Sequence, residues 1–221
     1  MKNKAARAPE LQPIGAVVVI PLRLDFGCGR TKLDGWEGID SIDFGQKHVL
    51  NIAEQSKAWY RQNHEFMTGD RETPPDVPRY LAWPFADGSV DEVRSSHFVE
   101  HLTGEQRVFF FSELYRVMKV GATAQIVTPN WSHSCAYGDP THQWPPMSSW
   151  FTLYLNEQWR AVNAPHAGFA CDFDWGIAGG WDASIEMRNA ETKAVMMDKN
   201  TNCFRDLIAT LTKRPPSAPA P

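Results

Sequence analysis

The 221 residues, 43% apolar and 22% charged, fit one globular domain with a sizeable core and leave little room for a second. A formal charge of −4 argues against a protein that grips nucleic acid through a basic face. No apolar run approaches the ~18 residues of a membrane span. Four cysteines without CxxC spacing exclude a disulfide framework or a zinc knuckle and suit a reducing cytoplasm.

Residues 1–13, polar and proline-containing, read as a flexible arm. The apolar stretch Ile14 to Leu24 follows Lys2, Lys4 and Arg7, which raises a signal peptide as one reading. No small-residue cleavage site follows it and Asp25 closes it, so a buried strand over Ala16–Leu24 with a break at Pro21 is the better one. Gly35–Asp40 reads as a short second strand, Ser56–Met67 as a helix, and Ser89–Ser96 as a strand ending in a polar cluster. Thr103-Gly-Glu-Gln106 is a capping box that opens a helix running to Lys119, with Gly121 as its stop. Ala122–Thr128 is the next strand, ended by Pro129-Asn130. This alternation predicts an α/β fold, a doubly wound and mostly parallel sheet in a single domain over residues 14–212. Residues 131–182, dense in Trp, Pro, Gly, His and Asp, read as a substrate-side insertion or loops with one helix around Ser148–Val162. The stretch on to Leu211 can return one or two strands and a helix. Residues 213–221 read as a Pro-rich disordered tail.

Asp25-Phe-Gly27-Cys28-Gly29 carries the strongest local chemistry. A strand that ends in an acid and runs into Gly-x-Gly brings backbone amides close to a ligand, and only glycine tolerates such a turn. The same pattern also serves as a plain strand-end turn. Asp40, eleven residues past Gly29 at the end of the second strand, offers two carboxylate oxygens that fit the hydroxyls of a ribose. A dinucleotide site is disfavoured, because the third glycine is missing and no helix of ordinary length fits between Gly29 and Trp36.

Three ordered blocks carry a family resemblance. These are Leu24-Asp25-Phe-Gly-Cys-Gly29, then Trp83-Pro-Phe-Ala-Asp-Gly-Ser89 with Ser96-His97-Phe-Val-Glu100-His101-Leu102, then Glu113-Leu-Tyr-Arg116 continuing to Pro129-Asn130. Together they resemble the small class I S-adenosylmethionine-dependent methyltransferases of the type-11 kind, including bacterial and phage-borne members. The resemblance implies a Rossmann-like seven-stranded sheet with S-adenosylmethionine bound across its carboxyl edge. It implies that Asp25, Gly27, Cys28 and Gly29 border the methionine moiety and that Asp40 holds the ribose. Leu81 and Ala82 would flank the adenine, with Asp76 or backbone alone reaching its amino group, while Ser96 and His97 face the transferring methyl.

His97 and His101, four apart, can lie on one face as metal ligands with a third from His133, Cys135, Asp139 or His142. The resembling family keeps Glu-His there without a metal, and none is expected. Asp139-Pro-Thr-His142 suits a general base on a substrate loop, His142 or Asp139 taking the acceptor's proton with His101 nearby; the same residues also suit an Asp-Pro turn. The expected partners are S-adenosylmethionine and an acceptor of unknown identity, a small molecule being favoured. Rival readings are a cofactor-cleaving enzyme, or a binding module of this fold without methyl transfer.

Overall fold

The computed structural model describes residues 20–62, 82–181 and 204–216. The elements in chain order are β1 (Arg23–Phe26), β2 (Glu37–Asp40), β3 (His48–Val49), α1 (Ile52–Gln62) and β4 (Val90–Ser96). A 3-10 turn (Val99–His101) then leads into α2 (Gly104–Val117), β5 (Met118–Pro129) and the single turn α3 (Cys135–Gly138). A second 3-10 segment (Ser149–Leu155), α4 (Glu157–Asn163), β6 (Phe173–Trp181) and β7 (Phe204–Lys213) complete it.

The strands form one seven-stranded sheet in the order β3-β2-β1-β4-β5-β7-β6. β1 to β5 run parallel to one another, while β7 lies antiparallel to both β5 and β6. The chain leaves β1 toward β2 and β3 on one side and returns through β4 on the other. The strand order therefore reverses between β1 and β4, and a crevice for ligands opens at the carboxyl ends of such a pair. The doubly wound α/β expectation is met. No described helix is long and apolar enough to cross a membrane.

β1 reads as a buried strand because Leu24 and Phe26 enter the core at 0% exposure. Phe26 meets Trp83 at 4.6 Å between ring centroids and Phe110 of α2 edge-on at 5.2 Å. α1 packs on α2, with Trp59 and Phe109 as an aromatic pair. Asp25 faces away from this cluster, 2% exposed, and accepts from Arg94 Nη1 of β4 at 2.9 Å. Burial pushes its carboxyl upward and the guanidinium opposes that rise.

Several boundaries differ from expectation, each for a local reason. β1 begins only at Arg23: Ile20 is 84% exposed, and residues 16–19 of the expected strand lie outside the described ones. α1 starts at Ile52 rather than Ser56, because the Asn51 side chain accepts the amide of Glu54 at 3.1 Å and caps it; residues 63–67 lie outside the described ones. The Thr103 capping box forms as expected. The helix ends at Val117 instead of Lys119 because Met118, fully buried, already pairs with Val90 of β4. Gly121, at φ +80°, turns an irregularity between that pairing and Glu92↔Thr123 and so does not stop the helix. The expected helix at 148–162 is split in two by Asn156, whose side chain caps α4 through the amide of Trp159. Lys213, assigned to the tail, instead ends β7 at 9% exposure with its ammonium on the Met118 carbonyl, and Arg214 pairs with Asp172.

One buried ionic clamp explains the Glu113-x-x-Arg116 block. Glu113, 2% exposed, accepts from Arg116 Nε at 2.7 Å and from the backbone amide of Trp83 at 2.8 Å. Arg116 also donates to the carbonyls of Trp83 and Phe85 and to Asp87. The Trp-Pro-Phe segment is thereby fastened to α2, and the carboxylates hold the guanidinium charge above its ordinary range. Replacing Arg116 with Met strands a buried carboxylate, so Arg116→Met should lower unfolding stability by about 3 kcal/mol in urea titration. A loss below ~1 kcal/mol would show that the clamp is dispensable.

Candidate functional site

The turn after β1 is built from two left-handed glycines, Gly27 at φ +71° and Gly29 at φ +53°. Gly27 donates its amide to the Ile39 carbonyl at 2.9 Å, and Cys28 donates to the same oxygen at 3.3 Å. Gly27 is required twice over. Besides its positive φ, a methyl there would stand 2.7 Å from the Cβ of Phe98, which packs over the turn. Cys28 is 6% exposed and turns its thiol toward Gly38 of β2, where an added methyl would meet Sγ at 2.8 Å. The Gly29 amide donates to Asp40 Oδ2 at 3.0 Å, and the Ile42 amide to Asp40 Oδ1 at 3.2 Å. Each oxygen keeps a second lone pair, so Asp40 holds the turn and still has acceptor capacity for hydroxyls.

Ser96 and His97 close β4 on the same carboxyl edge. His97 has φ +53°, the one described non-glycine residue with positive φ, and its amide bonds to the Val127 carbonyl at 2.9 Å. A backbone held in that region costs roughly 1–2 kcal/mol, and such positions gather at functional sites. Its ring lies between two acids, Nδ1 3.2 Å from Glu100 Oε1 and Nε2 3.8 Å from Asp206 Oδ1 of β7. Glu100 raises the imidazole's proton affinity, partial burial working against it. Ala82 is exposed just before the buried Trp83, whereas Leu81 and Asp76 lie outside the described residues.

The structure brings His101 to Asp139 and His142, about forty residues further along the sequence. The His101 and His142 rings meet edge to face at 4.9 Å. Thr141 Oγ1 joins His101 Nδ1 at 3.0 Å to Asp139 Oδ1 at 2.7 Å. Asp139 Oδ2 lies 3.9 Å from His142 Nε2, and the Thr141 hydroxyl and amide hold its carboxyl below the usual range. The segment is a turn, with the Thr141 amide on Asp139, as one of the two sequence readings has it. Its docking comes from Arg107, 2% exposed, which donates to the carbonyls of Val99, Gln143 and Pro145 at 3.2, 3.2 and 2.6 Å. The Gln143 amide adds a bond to the Glu100 carbonyl at 2.8 Å.

The other histidine candidates go elsewhere. His97 turns to Glu100 and Asp206, and His133 accepts the Cys135 amide. Phe98, Arg107 and Asp206 are the participants the sequence reading missed. A hollow of about 220 Å³ beside the cluster is lined by Tyr137, Asp139, His142 and Trp144, the two aromatics 55% and 77% exposed. A larger one of about 610 Å³ runs along α2 past Val108, Trp150, Tyr154 and Phe169. It is mostly apolar and holds no histidine, and the guanidinium of Arg107 on its wall is committed to backbone carbonyls. The smaller hollow is the one that the candidate residues Asp139 and His142 line.

Residues 24–126 match the family model described as a methyltransferase domain. No curated protein matches the chain. Among solved structures, the chain is similar to a SAM-dependent methyltransferase from Archaeoglobus fulgidus at 18% identity, covering 87% of this chain and 86% of that one with a TM-score of 0.51. It is similar to a SAM-dependent methyltransferase from Methanosarcina mazei at 14% identity, 87% and 92% coverage and TM-score 0.42. A geranyl diphosphate C-methyltransferase from Streptomyces coelicolor A3(2) shares 18% identity, 87% and 71% coverage and TM-score 0.37. The first of these shares the fold.

The pair His97–Glu100 sets a pH dependence. A histidine whose proton affinity is raised by folding stabilises the fold fully below the unfolded imidazole value of about 6.5 and loses that contribution as pH rises through the folded midpoint. The His97 ring titrated by NMR should show a midpoint above that value, and Glu100→Gln should bring it down. A midpoint at or below the unfolded value would contradict the pairing.

Proposed function

We propose that this chain, which belongs to the class I S-adenosylmethionine-dependent methyltransferases through residues 24–126, moves a methyl group to an oxygen or nitrogen nucleophile of a small molecule or of a sugar, lipid or peptide group. The observation that carries this reading is the contact of Phe98 with Gly27. It seats the cofactor turn directly against the segment His97–His101, so one carboxyl edge serves both halves of the reaction.

On this reading the Gly27–Gly29 amides and Asp25 border the methionine moiety, with Cys28 contributing through its backbone. Asp40 takes the ribose hydroxyls, Leu81 and Ala82 flank the adenine, and Ser96 and His97 face the methyl. Transfer from a sulfonium is an in-line displacement whose leaving thioether is neutral, so orientation and exclusion of water supply most of the acceleration. The acceptor sits in the hollow between Tyr137 and Trp144, where His142, oriented by Asp139 with His101 beside it, receives the proton that the nucleophile sheds. The net charge of −4 favours such acceptors over nucleic acid. The free thiols Cys28, Cys135 and Cys171 support a reducing, cytoplasmic setting.

Asp40→Ala should weaken binding of S-adenosylhomocysteine by at least ~1.5 kcal/mol, about tenfold, the scale of lost charge-assisted hydrogen bonds. Calorimetry on the folded variant reads this directly, and an unchanged affinity would mean that another residue holds the ribose.

A further inference from the structure

One ligand-capable atom from each of Glu100, His101 and His142 lies within 4.8 Å of the other two. The surrounding hydrogen bonds show which atoms are spare. His142 Nδ1 stands 3.1 Å from the Ala136 carbonyl, which can only accept, so Nδ1 carries the proton and Nε2 keeps its lone pair. The Thr141 hydroxyl gives its one proton to Asp139, so its oxygen accepts from His101 Nδ1 and leaves His101 Nε2 with a lone pair as well. Glu100 is 4% exposed, and its Oε2 is buried without any hydrogen-bond partner, while Oε1 takes His97.

One atom of each residue thus lies within reach of a common ion, and two imidazole lone pairs beside a buried carboxylate oxygen without a partner form an arrangement that is unfavourable when left to itself and is satisfied by a cation. Each imidazole gives its other nitrogen's proton to a backbone or hydroxyl oxygen, which is the outer arrangement that metal-binding histidines carry. The imidazole pair disfavours Mg²⁺ and Ca²⁺, and a set of two histidines and one carboxylate belongs to sites that keep a coordination position open.

We propose that Glu100, His101 and His142 bind a divalent first-row transition cation of the zinc class, with an open position available to an acceptor in the hollow beside Trp144. This departs from the expectation of no metal. It rests on the methyltransferase reading only for what the ion does there. With the ion bound, His142 would serve as a ligand in place of the proton acceptor of the metal-free reading: a coordinated hydroxyl would lose its proton to solvent, and its oxygen would form a bond to the sulfonium methyl as the methyl–sulfur bond breaks and the neutral thioether leaves. The acceptor class narrows accordingly to molecules that present a hydroxyl oxygen as a metal ligand.

The test is titration of the full, untagged chain with Zn²⁺ against a chromophoric chelator, and with Co²⁺ read by visible absorption. The expected result is one equivalent bound, with Glu100→Gln and His142→Ala each weakening Zn²⁺ by at least about tenfold while circular dichroism is unchanged. If His142→Ala fails to fold, the near-isosteric Glu100→Gln carries the comparison. No binding by the natural sequence, or undiminished affinity in the folded variants, overturns the proposal. S-adenosylhomocysteine titrated in parallel separates the failures: cofactor binding without Zn²⁺ binding removes the metal site alone, and loss of both removes the methyltransferase reading as well.

Discussion

The buried guanidinium of Arg107 reaches three backbone carbonyls, one in the turn after β4 and two in the loop after Thr141. A charge placed there needs all of those partners, since an unpaired buried cation is far costlier than the bonds it forms. The loop must therefore return to the same place whenever the chain folds. Through that return His142 and Asp139 arrive at His101, on a turn whose start, Phe98, already rests on Gly27. The geometry of the candidate site follows from how this one side chain of α2 is satisfied.

A second clamp does the same for the other wall. Glu113 and Arg116 tie the Trp83–Asp87 segment to α2, so a single helix fixes both the loop after Thr141 and the segment leading into β4. Phe109 and Phe110 of that helix meanwhile sit in the aromatic cluster under β1. α2 is thus at once core, anchor for two segments and support, through Phe110, for the glycine turn after β1, and a change on its buried face should be felt at the carboxyl edge.

What the sequence made legible was local in physical origin. The glycine turn, the strand-end Asp40, the Thr103 capping box and the alternation of strand and helix depend on neighbours within a few residues, and all of these features formed. Boundaries set by tertiary pairing were not readable in advance. Met118 leaves the helix because β4 lies beside it, and Gly121 bends within a strand because two stretches of β5 pair with β4 out of step. The site was partly legible. His101, His142 and Asp139 were named from their chemistry, yet their meeting depends on Arg107, whose apolar surroundings in α2 gave no sign that it faces loop carbonyls. Asp206, which comes to His97 from the far end of the chain, carried no local signal.

Whether the edge formed by Gly27, Gly29, Asp40 and His97 takes S-adenosylmethionine decides the proposal. Calorimetric titration of the natural-sequence protein with S-adenosylmethionine and S-adenosylhomocysteine, with NAD as comparator, reads this without an acceptor. Micromolar binding of the first two at one per chain, with none of NAD, is expected. Absence of binding by either sulfur ligand, or binding of NAD in their place, would overturn the proposal.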